Sequence, residues 1–159
     1  QSGKMSMEQA QERLDTVYYP YHQKLKKVIN QTYLIFGKSV LIDCHSMPCK
    51  ATSHIVVGEG LGPDVILGDR FGASCSKNIT DQVENAFTNQ GFTVSRNIPF
   101  SGAYILQNYG CPSLNQHAIQ IEINRSLYMI EETVEKSENY HSIRNRLQKV
   151  VEEIVLIGK

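Results

Sequence analysis

Two short apolar runs end in side chains that could carry chemistry. The run Val40–Met47 delivers an imidazole, His45, shortly before Pro48 breaks it. The run His117–Arg125 delivers a carboxylate, Glu122, in the same way. Both runs have the composition of buried strands, and charged groups are rarely buried without a partner. An imidazole and a carboxylate at the ends of two buried strands are what a metal-dependent hydrolase needs, with the carboxylate accepting a proton from water.

Each of these side chains also has a structural explanation. A histidine near a core strand is often only hydrogen-bonded to backbone, so the sequence leaves His45 open between that role and a ligand or catalytic role. Strict alternation places Glu122 on one strand face with Gln120 and Asn124, which could be a wet polar face. Strands of a parallel sheet are covered on both faces, however, and a carboxylate there is buried or lines a crevice.

Three arginines, Arg70, Arg96 and Arg125, each follow a predicted strand. Any one of them can be an ordinary surface charge. At one shared rim of the sheet, three guanidinium groups would suit a substrate that carries carboxylates, which arginine binds in a bidentate manner. His54 is a weak candidate for a second metal ligand, because neither spacing nor strand geometry places it beside His45.

The composition excludes several classes of protein. The 159 residues are 41% hydrophobic and 20% charged, which predicts one α/β domain over residues 1–159. Sixteen basic and sixteen acidic residues balance, so nothing favours a nucleic-acid or anionic-membrane partner. No apolar stretch has the length of a membrane span, and the N-terminus lacks a signal-peptide pattern. The four cysteines form no CxxC pair, which favours reduced thiols in a cytoplasmic protein.

The pattern of elements predicts the frame that positions these groups. Helical spacing begins at Met7 and ends at Gly37, and the interruption at Pro20 predicts either one helix kinked near Tyr19 or two consecutive helices. Further helices are predicted to begin at the N-caps Asn78 and Ser137. The predicted strands are Ser39–Cys44, His54–Val57, Asp64–Leu67, Phe92–Ser95 and Gln116–Asn124. This alternation predicts a layered α/β fold with a mainly parallel sheet.

Several segments occur in a fixed order: Tyr18–His22, Asp43–Pro48, Leu67–Gly72, Asn97–Tyr104 and Gln120–Met129. Together they resemble the N-formylglutamate amidohydrolase (deformylase) family, over residues 5–159. The resemblance implies a three-layer α/β/α domain with a mixed sheet, like the carboxypeptidase and phosphorylase/hydrolase folds. It implies that His45 is a ligand of a divalent metal, with zinc expected, and that Glu122 is the catalytic glutamate. It also implies substrate contacts from Asn97, Tyr104 and Arg125.

The chain departs from the family at its beginning. Family members carry an upstream region with a Pro-His-Ser/Ala-Gly segment, to which the resemblance assigns the other metal ligands. Nothing in Gln1–Met7 matches that region, so we expect a domain without its first part. A catalytic zinc usually takes three protein ligands, and His45 alone is too few. Two interpretations follow: a fragment of the enzyme, or a shortened relative that has lost the metal site.

The resemblance implies hydrolysis of the formamide bond of N-formyl-L-glutamate, a small N-acyl amino dicarboxylate of histidine catabolism, to formate and glutamate. An alternative from another class is an inactive α/β module that binds a carboxylate ligand or a partner through the vacant crevice. A third interpretation keeps the chemistry but acts on peptide C-termini, as a carboxypeptidase does. An incomplete sheet would expose an edge and an apolar face, so we also expect a homo-oligomer.

Overall fold

The computed structural model describes residues 3–57 and 60–157, which form alternating helices and strands. The helices are α1 (Met7–Arg13), α2 (Tyr19–Phe36), α3 (Lys77–Asn89), α4 (Tyr104–Tyr109) and α5 (Tyr140–Ile154). The strands are β1 (Ser39–Met47), β2 (Val56–Val57), β3 (Gly60–Leu61), β4 (Val65–Gly68), β5 (Val94–Arg96), β6 (Gln116–Asn124), β7 (Met129–Ile130) and β8 (Glu135–Lys136). A π-helical turn, Leu14–Tyr18, joins α1 to α2, and short 3₁₀ turns lie at Cys49–Ala51, Pro112–Leu114 and Arg125–Leu127.

Within the described residues, four strands form the central sheet in the order β1-β6-β4-β5. β1 runs parallel to β6 and β4 runs parallel to β5, whereas β6 and β4 are antiparallel. The pairs β2–β3 and β7–β8 are separate two-stranded ribbons. The predicted α/β fold with a mainly parallel, mixed sheet is therefore confirmed.

The single antiparallel pairing decides where the strands end. Because β6 and β4 run in opposite directions, the C-terminal ends of β1 and β6 lie at one end of the sheet. His45 and Glu122 lie near this end, and Arg125 follows it. The C-terminal ends of β4 and β5 point the other way, with Arg70 following β4 and Arg96 forming the last residue of β5. The expectation that three arginines share one rim is therefore wrong, since only an all-parallel sheet brings all C-terminal ends together.

Alternation along β6 divides the sheet into an apolar and a polar face. The apolar face packs against α3 and α5, and its core includes Val65, Leu67, Val83, Phe87, Ile119, Ile121, Ile143 and Val150. Gln120, Glu122 and Asn124 project from the other face. The segment entering α4 lies over this polar face, and α2 packs on α4 through the 2.6 Å contact between His22 Nδ1 and Tyr109 Oη. Helices thus cover both faces, which gives the three predicted layers.

The helical region from Met7 to Phe36 ends and is interrupted close to the predicted positions. α2 ends at Gly37, whose φ of 67° is the left-handed conformation that glycine adopts without strain. The predicted interruption at Pro20 takes the form of the π-helical turn Leu14–Tyr18, directly before α2. Pro20 lies in the first turn of α2, where a missing N–H leaves no helical hydrogen bond unmade.

Other predicted boundaries shift by a few residues. β1 is longer than predicted, so His45 lies inside the strand and not after it. The N-cap of α3 is Ser76 and not Asn78, and the N-cap of α5 is Asn139 and not Ser137. β6 has the predicted bounds. The four cysteines are free thiols, and no helix within the described residues is long and apolar enough to cross a membrane.

Candidate active site

His45 and Glu122 lie directly opposite each other on β1 and β6. His45 Nδ1 is 3.9 Å from Glu122 Oε1. The His45 side chain is 44% exposed and the Glu122 side chain only 10%, because β1 is an edge strand and β6 an inner one. The structure therefore places an accessible imidazole beside a nearly buried carboxylate.

Asp43 lies two residues before His45 on the same face of β1. Its Oδ1 atom is 3.2 Å from His45 Nε2. Its second oxygen, Oδ2, is buried and has no hydrogen-bond partner among the residues that the structure describes. The imidazole of His45 thus has one carboxylate at each ring nitrogen, Asp43 at Nε2 and Glu122 at Nδ1.

Gln120 orients the Glu122 carboxylate from within β6. Its Oε1 accepts a 3.1 Å hydrogen bond from the Ala103 backbone N–H, which leaves Nε2 to donate to Glu122 Oε1 at 2.8 Å. The segment carrying Ala103 crosses close over Gly68, where an added Cβ would lie 2.7 Å from the Ser101 carbonyl carbon. A glycine at position 68 is therefore what allows this backbone to reach Gln120.

The environment of Glu122 changes its acidity. Burial raises the pKa of the Glu122 carboxyl above its ordinary value, since desolvation disfavours the charged form. His45, the hydrogen bond from Gln120 and the charge of Arg125 lower this pKa in part, and the neighbouring Asp43 carboxylate raises it. A carboxyl group with a raised pKa is suited to accept a proton and return it.

Arg125 follows β6 and influences Glu122 through its charge. Its Nε is buried, lacks a hydrogen-bond partner within the described residues, and lies 4.0 Å from Glu131 Oε1. Glu131 is itself held by the Cys49 backbone N–H at 3.1 Å. The Arg125 side chain is 37% exposed, so its guanidinium group is accessible to a ligand near Glu122.

Arg70 and Tyr104 border the polar face farther along the sheet. Gly68 lies opposite Gln120 in the β4–β6 register, so Arg70 lies beyond Gln120 on the side away from Glu122. The Tyr104 hydroxyl group is 2.8 Å from the Tyr18 hydroxyl group of the π-helical turn. These two predicted substrate residues therefore lie near the Ala103 segment and not beside His45.

Arg96 is engaged on the opposite face of the sheet. It lies opposite Leu67, a residue of the apolar core, in the β4–β5 register. Its guanidinium group forms ion pairs with Asp81, at 2.8 Å, and with Glu84, both on α3. The structure does not bring Arg96 to Glu122, because its position in β5 directs it to the α3 side.

Asn97 supports the loop that follows β4. Its Oδ1 accepts hydrogen bonds from the backbone N–H groups of Asp69, at 3.0 Å, and Phe71, at 3.3 Å. Its Nδ2 donates to Asp69 Oδ1 at 2.8 Å. The polar atoms of the Asn97 side chain are thus used within the protein, at the end of the sheet away from His45.

No role in the site is predicted from the sequence for Asp43 or Gln120. Each stands two positions before a predicted site residue, so period-two alternation places it on that residue's face. This signal is present in the sequence. Only the pairing of β1 with β6, however, brings Asp43 and His45 next to Gln120 and Glu122.

The site contains one side chain, His45, of a type that can bind a metal ion. An imidazole nitrogen directed at a nearby carboxylate is a suitable donor for zinc, which usually takes three protein ligands. In the described residues no group of three His, Cys, Asp or Glu side chains is placed to hold a metal ion. His54, the weaker predicted ligand, lies in an exposed turn. His45 therefore fits as one metal ligand, and these residues do not complete the set.

The fold and the site define a three-layer α/β/α domain with an imidazole and a carboxylate paired on its polar sheet face. The profile of the N-formylglutamate amidohydrolase family matches residues 1–129 of the sequence. The chain belongs to the N-formylglutamate amidohydrolase family, as its sequence motifs predict.

Two curated relatives are both named N-formylglutamate deformylase. N-formylglutamate deformylase of Pseudomonas putida is 33% identical over 128 residues, which are 79% of this chain and 46% of that protein. N-formylglutamate deformylase of Pseudomonas aeruginosa is 31% identical over 129 residues, 80% of this chain and 47% of that protein. The chain thus spans about half the length of these relatives.

Solved structures agree with the fold. The crystal structure of N-formylglutamate amidohydrolase from Ralstonia eutropha has a TM-score of 0.84 and 30% sequence identity, and the match covers 99% of this chain and 55% of that chain. A gene product of Agrobacterium tumefaciens has a TM-score of 0.60 at 16% identity, covering 98% of this chain and 57% of that chain. The second likeness supports the fold alone.

Proposed function

We propose that this protein hydrolyses the formamide bond of N-formyl-L-glutamate, giving formate and glutamate, and that this chain carries the acid–base residue of the site. The observation that carries the proposal is the pairing of His45 with Glu122, a nearly buried carboxyl with a raised pKa. Membership of the family and the names of the two relatives support the substrate.

In this proposal, Glu122 moves the proton. The attacking water forms the new C–O bond at the formyl carbon and gives its proton to the Glu122 carboxylate. Glu122 then returns the proton to the nitrogen as the C–N bond breaks, so that glutamate leaves as an amine and formate remains. Gln120 occupies Oε1 of Glu122, which leaves Oε2 to exchange the proton.

We propose that His45 contributes one ligand to a divalent metal ion, with zinc expected. When bound, such an ion polarises a carbonyl oxygen and makes water more acidic. His45 suits this role because Asp43 contacts Nε2, which leaves Nδ1 on the side of Glu122. The further ligands of a complete zinc site lie outside the set that the described residues supply.

Arg125 is the residue that we propose for a substrate carboxylate. Its buried Nε lacks a hydrogen-bond partner within the described residues, and its charge acts on Glu122. A guanidinium group can bind a carboxylate in a bidentate manner. Arg70 and Tyr104, on the same face, are candidates for the second carboxylate, whereas Arg96 and Asn97 are occupied by protein partners.

The incomplete ligand set favours one second candidate, an inactive module that binds a carboxylate ligand without hydrolysing it. Measuring zinc content and formate release on the purified protein distinguishes the two. Formate released from N-formyl-L-glutamate at a zinc-dependent rate supports the hydrolase. Binding of glutamate without zinc and without formate release supports the module. Peptides in a parallel assay test the carboxypeptidase interpretation, which predicts release of their C-terminal residues.

A further inference from the structure

A carboxylate oxygen lies near each ring nitrogen of His45, but a neutral imidazole has a single N–H group to donate. A neutral imidazole carries one N–H, on either Nδ1 or Nε2, and the other nitrogen keeps a lone pair. Asp43 lies at Nε2 and Glu122 at Nδ1, so the two carboxylates compete for one proton. The nitrogen that faces the preferred carboxylate carries the proton, and the other nitrogen keeps the lone pair and can act as an electron-pair donor.

Distance favours Asp43 in this competition. The contact from Nε2 to Asp43 Oδ1 is 3.2 Å, at the upper end of hydrogen-bond distances, whereas the contact from Nδ1 to Glu122 Oε1 is 3.9 Å and lies beyond them. Glu122 Oε1 already accepts a hydrogen bond from Gln120, which satisfies this oxygen independently of His45.

The burial of Asp43 acts in the same direction. Its Oδ2 has no hydrogen-bond partner among the described residues. The contact between Oδ1 and His45 therefore has to offset the hydration that the carboxylate loses on burial. An under-satisfied carboxylate in a partly buried site gains more from an N–H donor than a satisfied one. The N–H of His45 is thus drawn to the Asp43 side.

We propose that Asp43 is a positioning residue that fixes the tautomer of His45, holding the proton on Nε2 and the Nδ1 lone pair on the side of Glu122. The inference deepens the proposed function, which requires a donor nitrogen at that place. Carboxylate partners of this kind orient histidines in many metal sites. Here the competing carboxylate is the proposed acid–base residue itself, so losing Asp43 would turn the N–H toward Glu122.

The test is ¹⁵N NMR of the histidine rings in the metal-free protein, at a pH where the His45 signals are those of the neutral ring. The wild-type protein is expected to show His45 as the Nε2–H tautomer. Asp43→Ala is expected to make Nδ1–H the major form, since Glu122 is then the remaining acceptor. Asp43→Asn should restore Nε2–H, because its amide oxygen can still accept the hydrogen bond.

Two further signals control for general damage to the protein. His117 is buried and its Nδ1 accepts a 3.3 Å hydrogen bond from the Ser76 N–H, so it should stay Nε2–H in every folded variant. Asp81→Ala removes a carboxylate on the opposite face and should leave His45 unchanged. A wild-type His45 in the Nδ1–H form would overturn the inference, even if no variant folds. So would an Asp43→Ala variant with intact His117 signals and an unchanged His45 tautomer.

The function has its own readout. In a preparation that releases formate from N-formyl-L-glutamate, Asp43→Ala should lower kcat/KM by about 10- to 100-fold, and Asp43→Asn should recover most of it. A protein without formate release would overturn the proposed hydrolysis, while the NMR result would still decide the role of Asp43.

Discussion

Gln120 donates a 2.8 Å hydrogen bond to Glu122 within a single strand, and both side chains are buried. Residues two apart on a strand share a face, so the amide reaches the carboxylate without any turn of the chain. The Ala103 N–H fixes which end of the amide faces Glu122, because it occupies the amide oxygen. The proposed acid–base group, Glu122, is thus oriented through Gln120 by the backbone of the Ala103 segment, which lies over the polar face.

Replacing Glu122 by Gln should abolish most turnover without preventing ligand binding. The amide keeps the shape of the carboxylate but cannot accept and return a proton, and general acid–base catalysis contributes typically about 10²- to 10⁴-fold. Formate release measures the loss, and calorimetric binding of glutamate measures what remains. Glu135→Gln, at an exposed position of β8, is the control and should keep full activity. Activity within a few-fold of wild type would remove Glu122 from the mechanism.

The same substitution should change how stability depends on pH. The pKa of Glu122 is raised in the folded protein, so the folded state binds this proton more tightly than the unfolded state. The stabilising contribution is complete below the ordinary pKa of glutamate and is lost as the pH rises through the raised pKa. Glu122→Gln removes this loss, so the variant should gain stability relative to wild type from acidic to neutral pH. Urea unfolding across that range tests the slope, and a constant difference would contradict it.

Arg125 and Arg96 should respond differently to the same change. Arg125→Gln should raise KM about tenfold or more, since a hydrogen bond between charged groups contributes about 1.5–3 kcal/mol. Arg96→Gln should leave KM unchanged and lower the free energy of unfolding by up to about 1 kcal/mol, because its ion pairs with α3 are partly exposed. Steady-state kinetics and urea unfolding separate the two effects. A higher KM for Arg96→Gln would contradict this prediction and would indicate that Arg96 contacts the substrate.

Gly68→Ala should displace the backbone segment that holds the Gln120 side chain in place. A Cβ there would lie 2.7 Å from the Ser101 backbone, so the segment that supplies the Ala103 N–H must move. Overpacking of this kind typically costs about 1–3 kcal/mol of stability, and the loss of the Gln120 contact should lower kcat as well. Gly60→Ala is the matched control, because among the described residues its Cβ would meet Val57 O alone, at 3.8 Å. Equal stability of the two variants would show that the close approach has no consequence.

The outer edge of β1 should recruit a second copy of the chain. β1 is a nine-residue edge strand among the described residues, and a groove of about 370 Å³ lies beside it. Most of its lining side chains are apolar, including Phe36, which is 71% exposed, while Thr32 and Lys38 are polar. Long apolar edges tend to pair with other strands. Light scattering should show association that increases with concentration and weakens in Phe36→Glu. Val134→Glu, on another exposed surface, should not change it, and a monomer at every concentration would contradict the prediction.

Local pattern determined much of this protein. Period-two alternation in β6 separated Ile119 and Ile121 from Gln120 and Glu122, and the two faces lie as that pattern predicts. Gly37 ended a helix and Pro20 interrupted one, because both residues restrict the backbone by themselves. The family was likewise readable from ordered motifs, since each motif is a short stretch of sequence.

Tertiary structure decided which of these groups meet. A single strand does not reveal its direction, so only the assembled sheet shows that β4 runs against β6 and carries Arg70 away from Glu122. Likewise, only the packing of β5 shows that Arg96 faces α3. Pairing of β1 with β6 likewise placed His45 between Asp43 and Glu122. The physical reason is that alternation follows from one residue's geometry, whereas pairing and burial depend on strands far apart in the chain.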